Sequence, residues 1–143
     1  MPSASSIAVQ IADEIAALLN NLEIGDIVIT CTRKLIVDLS LAEAKTLQVL
    51  VVPHSLESKI IDRGLLKERS VLVDIGIMKR AAESELESLI AIAQAIGDTV
   101  EGVHLTSGLC TAVSYNPIYD SDTWLRQHSF LAVVTAKVKV FNK

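Results

Sequence analysis

The hydrophobic and polar positions form their clearest pattern between residues 70 and 97, where a strand is predicted to run into a helix. Every second residue from 71 to 77 is apolar and β-branched, which is typical of a half-buried β-strand. After residue 80 the apolar side chains recur at intervals of three and four, which predicts an α-helix with one apolar face. Ser84 and Glu87 resemble a capping box at its start, with a start one turn earlier as the alternative, and Gly97 fits the position just past its end. The strand and the helix are expected to pack face to face.

The same patterns predict a helix before this unit and strands on both sides of it. The first helix is capped by Ser5 or Ser6, has one apolar face and ends before a turn at Gly25. Runs of apolar and β-branched residues predict strands at residues 26–38, 47–53, 109–115 and 129–141. The second of these runs is apolar on both faces, so it is predicted to be a central strand that Pro53 stops.

Together these elements predict an α+β fold, in which a mostly antiparallel β-sheet has two α-helices packed on one face. A chain of 143 residues forms one domain by default, so residues 1–143 are assigned to a single domain. Half of the residues are hydrophobic but only 3% are aromatic. The core is therefore expected to consist of Ile, Leu, Val and Ala side chains.

Two segments outside the regular pattern are candidate interaction sites. Residues 55–69 mix charged and apolar side chains, so they form either an extended arm that binds a partner or a hairpin that folds onto its own domain. Trp124 lies in an otherwise polar segment, where it is either a lid over the edge of the core or an interface anchor. The candidate protein-interface residues are Ile60, Leu65, Leu66 and Trp124.

Charge and hydropathy argue against several partners. The formal net charge of −4 argues against a general affinity for nucleic acid, which requires clustered Lys and Arg. No apolar run approaches the roughly 20 residues of a membrane-spanning helix, so no membrane partner is expected. Cys31 and Cys110 both lie among apolar residues, which favours buried reduced thiols over a disulfide.

A search for catalytic motifs assigns no catalytic, cofactor or metal-binding residue. His54, His104 and His128 are isolated in the sequence and show no metal-ligand spacing. A pairing of Cys110 with His104 is an alternative to the buried thiol, although apolar neighbours raise a thiol pKa. Asp74 is an acid within a strong strand; a solvated or interfacial carboxylate is favoured over a general base, because no acid or histidine can be placed beside it.

The order of the elements and of several short motifs resembles a known family across residues 7–141. The matching positions are Ala17-Leu18-Leu19-Asn20, Asp38-Leu39, Leu47, Val49, Val51, Val52 and Pro53, Val73-Asp74-Ile75-Gly76-Ile77 with Lys79, Asn116-Pro117-Ile118-Tyr119, and a final strand from Phe130. In this arrangement the chain resembles the small tail-terminator or tail-completion proteins of long-tailed bacteriophages, siphovirus-like or myovirus-like, and of their prophages.

The resemblance implies a structural virion protein rather than an enzyme, with no catalytic residues to assign. It implies a homo-oligomeric, hexameric ring that caps the tail tube and contacts the tail-tube protein and the head-completion or stopper protein. DNA is expected to pass through the lumen without specific binding, and the protein to lie in the virion tail after assembly in the host cytoplasm. The alternatives are another neck or head-tail adaptor protein, or a small hydrolase or ligand-binding domain that uses His104, Cys110 or Asp74.

Overall fold

A computed structural model of the chain describes residues 6–35, 46–60, 63 and 67–140. A 3₁₀ turn at Glu83–Glu85 leads into the second α-helix. The helices and strands, in chain order, are α1 (Ile7–Leu19), β1 (Glu23–Ile24), β2 (Ile27–Val28), β3 (Cys31–Arg33), β4 (Gln48–Ile60), β5 (Lys67–Arg80), α2 (Leu86–Val100), β6 (Gly108–Tyr115), α3 (Ser121–Gln127) and β7 (Ser129–Val140).

Five strands form one mixed sheet in the order β3-β4-β5-β7-β6. The short β3 runs parallel to β4, and the other three neighbouring pairs are antiparallel. β1 and β2 form a separate two-stranded antiparallel sheet. The fold is therefore α+β with a mostly antiparallel sheet, which confirms the predicted class.

Helices α1 and α2 lie side by side on one face of the sheet, as predicted. α1 contacts β3, β4 and β5, whereas α2 contacts β6 and β7. The apolar faces of both helices pack into one continuous core, whose buried residues are aliphatic apart from Phe130, Cys31 and Cys110. The helix residues buried there are Ile11, Ala12, Ile15, Ala16 and Leu19 from α1, and Leu89, Ile92, Ala93, Ile96, Gly97 and Val100 from α2.

The start of α1 follows the prediction. The Ser6 hydroxyl accepts a hydrogen bond from the backbone N–H of Ala8, which satisfies one of the donors that a helix N-terminus leaves free. Ser5, the other candidate cap, lies outside the described residues. The predicted strand at 26–38 is divided into β2 and β3, and its last residues also lie outside the described part of the chain.

The predicted stop at Pro53 is wrong, because β4 continues to Ile60 and pairs with β5 along its whole length. Proline is tolerated here because the register shifts between Pro53 and Ser55, where a β-bulge inserts His54. Residues 55–60 and 67–72 are thus two arms of a hairpin within the sheet, and Glu57 and Lys59 face Ser70 and Glu68.

The predicted capping pair at the start of α2 and the predicted end of the helix are both wrong. At the start, the Glu85 carboxylate accepts a hydrogen bond from the N–H of Ala82, so Ser84 and Glu87 do not form the capping pair. At the end, the helix passes through Gly97 to Val100, and Gly102 adopts the positive φ of 78° that follows the C-cap. Gly97 faces Tyr115, whose ring leaves no room for a side chain there.

The polar segment that contains Trp124 forms a third helix, α3, which the apolar pattern did not predict. Asp120 caps it by accepting hydrogen bonds from the N–H groups of Asp122 and Thr123. His128, with a positive φ of 53°, ends it immediately before β7. A seven-residue helix with few apolar positions gives too little periodicity to be recognised from sequence.

Candidate functional site

An apolar groove of about 790 Å³ lies where β2 and the first residues of β4 face α2. Ile27 and Val28 stand at its edge with 42% and 55% of their surfaces exposed. Leu47, Leu89 and Ile92 extend the apolar lining toward the core. Contiguous apolar surface of this kind marks a site for another protein or an apolar ligand.

One wall of the groove carries a fixed pair of opposite charges. The ammonium group of Lys79, on β5, forms an ion pair with the carboxylate of Glu85, in the 3₁₀ turn before α2. The hydrogen bond from Lys79 lowers the pKa of Glu85, and the N–H of Ala82 acts in the same direction. The groove therefore combines apolar side chains with a neutralised charge pair, which suits an apolar segment with a polar rim.

Of the predicted interface residues, Ile60 is 59% exposed at the end of β4, where it faces Lys67 of β5. Leu65 and Leu66 lie outside the described residues. Trp124 is half-buried on α3, and its indole N–H donates to the carbonyl of Ala81 at 3.1 Å. The structure thus places Ile60 and Trp124 in different parts of the fold, and their roles at an interface stay predictions.

Trp124 also packs edge to face against His128, with ring centroids 5.4 Å apart. Beside it on the same helix, Leu125 is 66% exposed. The indole therefore covers the point where β5 ends and β7 begins, whereas Leu125 presents an apolar side chain to the surroundings. Trp124 was predicted to be either a lid over the edge of the core or an interface anchor, and Leu125 was not among the predicted interface residues.

Asp74 has a histidine partner, contrary to the prediction that none could be placed beside it. His54 Nδ1 lies 2.6 Å from Asp74 Oδ2, and the Thr135 hydroxyl donates to Asp74 Oδ1 at 2.8 Å. The bulge at His54 brings its imidazole to a carboxylate 20 positions away. This contact was not predicted, because β4 was expected to end at Pro53 and His54 was therefore expected to lie outside the sheet.

A carboxylate that accepts a hydrogen bond from Nδ1 orients an imidazole for general-base chemistry. The Asp74 carboxylate and the His54 ring have that relative arrangement on the sheet face opposite the helices. Among the described contacts, no Ser, Thr or Cys group is hydrogen-bonded to His54 to complete a nucleophile–base pair. The side chains of His54 and Asp74 are 55% and 24% exposed, so a polar ligand could reach both.

The three residues of the hydrolase alternative are not brought together. Cys110 is in register with Val138 of β7, which is in register with Val71 of β5, and all three side chains are buried on the helix-covered face of the sheet. Asp74 is on the opposite face of β5. His104 lies in the exposed turn before β6, and the Cys110 thiol donates to the carbonyl of Ala112. Burial also raises the pKa of the Cys110 thiol, which makes it a weaker nucleophile at neutral pH.

Cys31 is the second buried thiol, and burial raises its pKa to about 12.

Within the described ranges, no group of three or more His, Cys, Asp or Glu side chains could hold a metal ion. No helix in the described part of the chain is long and apolar enough to cross a membrane. No protein-family model matches the sequence, and no curated protein matches it either.

Proposed function

We propose that this protein is a structural subunit of the neck of a long-tailed bacteriophage, a tail-terminator or tail-completion protein. Copies of the chain form a hexameric ring that caps the tail tube and joins it to the head-completion protein. The order of the helices, strands and short motifs along the chain resembles that of this family. The observation in the fold that supports it best is the apolar groove beside β2.

A closed ring requires two different surfaces on each subunit, because every contact is head to tail. The groove at Ile27 and Val28 is one such surface. The exposed Leu125, next to the anchored Trp124, is a protruding apolar side chain of the kind that fills a groove. We take the occupant of the groove to be this part of α3 from a second copy.

The remaining partners follow from the ring. Its two rims would contact the tail-tube protein on one side and the head-completion or stopper protein on the other. A net charge of −4 for each chain suits a lumen through which DNA slides without being held, because like charges repel at short range. The protein would then reside in the virion after assembly in the host cytoplasm.

The proposal is tested by placing a charge at the rim of the groove. Val28→Glu changes an exposed side chain, so the fold is retained, but a docked neighbour would bury the carboxylate without a partner. We expect ring formation to weaken at least about tenfold, equivalent to about 1.4 kcal/mol. The measurement is light scattering of the purified protein, with electron microscopy of tail tubes assembled in its presence.

Thr32→Glu is the matched control, since it adds the same charge at an exposed position of β3 that does not line the groove. This variant should form rings and cap tube ends as the unmodified protein does. Tubes that lack a terminal ring in the presence of the unmodified protein would refute the proposed function. Rings that tolerate Val28→Glu would exclude the groove as the ring contact.

The contact between His54 and Asp74 supports a second candidate, a small ligand-binding or hydrolytic domain. It replaces the alternative built on His104, Cys110 and Asp74, because Cys110 and Asp74 lie on opposite faces of the sheet. The same light-scattering experiment separates the two candidates. A monomer at every concentration, with no effect on tail tubes, favours the ligand-binding domain, whereas a ring on tube ends favours the neck protein or a related head-tail adaptor.

A further inference from the structure

Within the described part of the chain, the edge of β4 that faces away from β5 has a partner strand only near its start. β3 covers only the first part of this edge, pairing with Val49–Val51, and among the described residues no strand lies beside β4 beyond that point. Every residue from 56 to 60 is exposed, including Leu56 at 45%. Open strand edges are templates for pairing with another chain.

The hydrogen-bonding direction along this edge follows from two observations. The carbonyl of Val51 accepts from the N–H of Lys34, so the main chain of Val51 points outward, away from β5. From Val51 to the bulge at His54, the main-chain N–H and C=O groups of successive residues face alternately away from β5 and toward it. After the bulge, Ser55 is in register with Leu72 and its main chain faces β5. Beyond the bulge, the residues whose N–H and C=O groups face outward are Leu56, Ser58 and Ile60.

Side chains alternate along the same segment. Leu56 lies opposite the buried Val71, so Leu56, Ser58 and Ile60 are on the helix-covered face. Glu57 and Lys59 are on the other face, where Lys59 lies 3.9 Å from Glu68. Glu68 makes its shorter contact, at 2.9 Å, with Lys139. Lys59 is therefore only loosely engaged within its own chain.

We propose that two copies of this protein pair through the open edge of β4, antiparallel and related by a two-fold axis at Ser58. In that register Leu56 lies opposite Ile60 of the second copy, and Glu57 lies opposite Lys59 of the second copy. The outward N–H and C=O groups of Leu56, Ser58 and Ile60 face their counterparts. Each apolar residue thus meets an apolar residue, and each charge meets its opposite.

The two charges also select this register. Moving the second strand by two residues in either direction places Lys59 opposite Lys59, or Glu57 opposite Glu57, and like charges directly opposite each other are destabilising. A lysine on an open edge normally discourages pairing. Here Glu57, two residues away, provides the complementary charge for a second copy of the same strand.

This contact is independent of the proposed ring, because it uses neither the groove nor α3. It is isologous, so two monomers would form a dimer, and a ring whose subunits all make this contact with one second ring would become a pair of rings. The mass of the particle therefore tests the contact whether or not the proposed function is correct.

The test exchanges the two charges and measures mass by sedimentation velocity across a range of protein concentrations. Glu57→Lys places Lys opposite Lys, and Lys59→Glu places Glu opposite Glu. We expect each variant to weaken the pairing at least about tenfold, so that the mass falls by half. An equal mixture of the two variants makes every opposed pair complementary again and should restore the mass of the unmodified protein.

Ser58→Pro is a second variant, which removes an outward N–H but no hydrogen bond to β5, so it should halve the mass while the circular dichroism stays unchanged. The proposal is overturned if the unmodified protein shows no doubled species at any concentration. It is also overturned if the mixture fails to recover the mass, or if Ser58→Pro and both charge variants associate as the unmodified protein does.

Discussion

At the scale of single residues, Gly97 packs tightly against Tyr115. A Cβ atom at Gly97 would lie 2.5 Å from the Tyr115 Cζ atom and closer still to its hydroxyl, which donates to the carbonyl of Gln94. We predict that Gly97→Ala lowers the free energy of unfolding by about 1–3 kcal/mol, the usual cost of overpacking. Urea denaturation monitored by circular dichroism measures the loss.

The control for this substitution is Gly76→Ala in β5. A Cβ atom there would meet only the Cε atom of Met78, at an ordinary contact distance of 3.8 Å. The two glycines are both buried, yet the packing predicts a large loss of stability at Gly97 and a small effect at Gly76. Equal losses at both positions would mean that the contact with Tyr115 does not limit the space in the folded protein.

At the scale of elements, the start of α2 depends on the carboxylate of Glu85. It accepts from Lys79 on β5 and from Ala82 in its own turn, and both hydrogen bonds lower its pKa. A carboxyl group whose pKa is lowered in the folded state stabilises the protein at pH values above the ordinary pKa of glutamate. This stabilisation is lost as the pH falls from that value through the lowered pKa of the folded state. We predict that Glu85→Gln loses less stability than the unmodified protein between about pH 6 and pH 3.

Urea midpoints across this pH range measure the difference. Lys79→Gln is the matched variant, because it removes the other partner of the same ion pair and should abolish part of the same pH dependence. The double variant should then show the same pH dependence as Glu85→Gln alone. Additive effects of the two substitutions would argue against a direct contact between Lys79 and Glu85.

The elements also show what the sequence could predict. β5, β7 and the two long helices were predictable because each has a sustained apolar period, and the α+β class followed from their order. The course of β4 beyond Pro53 was not predictable for two reasons. The strand continues past the proline through a β-bulge, and its second half is exposed on both faces, so it has no buried apolar face to recognise. The contact between His54 and Asp74 depends on that bulge, so it could not be predicted either.

At the scale of the whole molecule, α1 and α2 cover different halves of the sheet but share one core. Cys31, on β3, lies under the half covered by α1, and Cys110, on β6, lies under the half covered by α2. Burial raises the pKa of both thiols, so neither should react at neutral pH until the chain unfolds. The two cysteines therefore report separately on the two halves of the core.

If the core unfolds as one unit, both halves must open at the same urea concentration. We predict that the thiol left in Cys31→Ala and the thiol left in Cys110→Ala each become reactive at the midpoint that circular dichroism gives for the same variant. Labelling with iodoacetamide at neutral pH across a urea series measures this, and each variant serves as the control for the other. Reaction of Cys110 well below the midpoint, with Cys31 still protected, would show that β6 and α2 open before the rest. The sheet would then unfold from the β6 edge, and the continuity of the buried side chains would not be enough to couple its two halves.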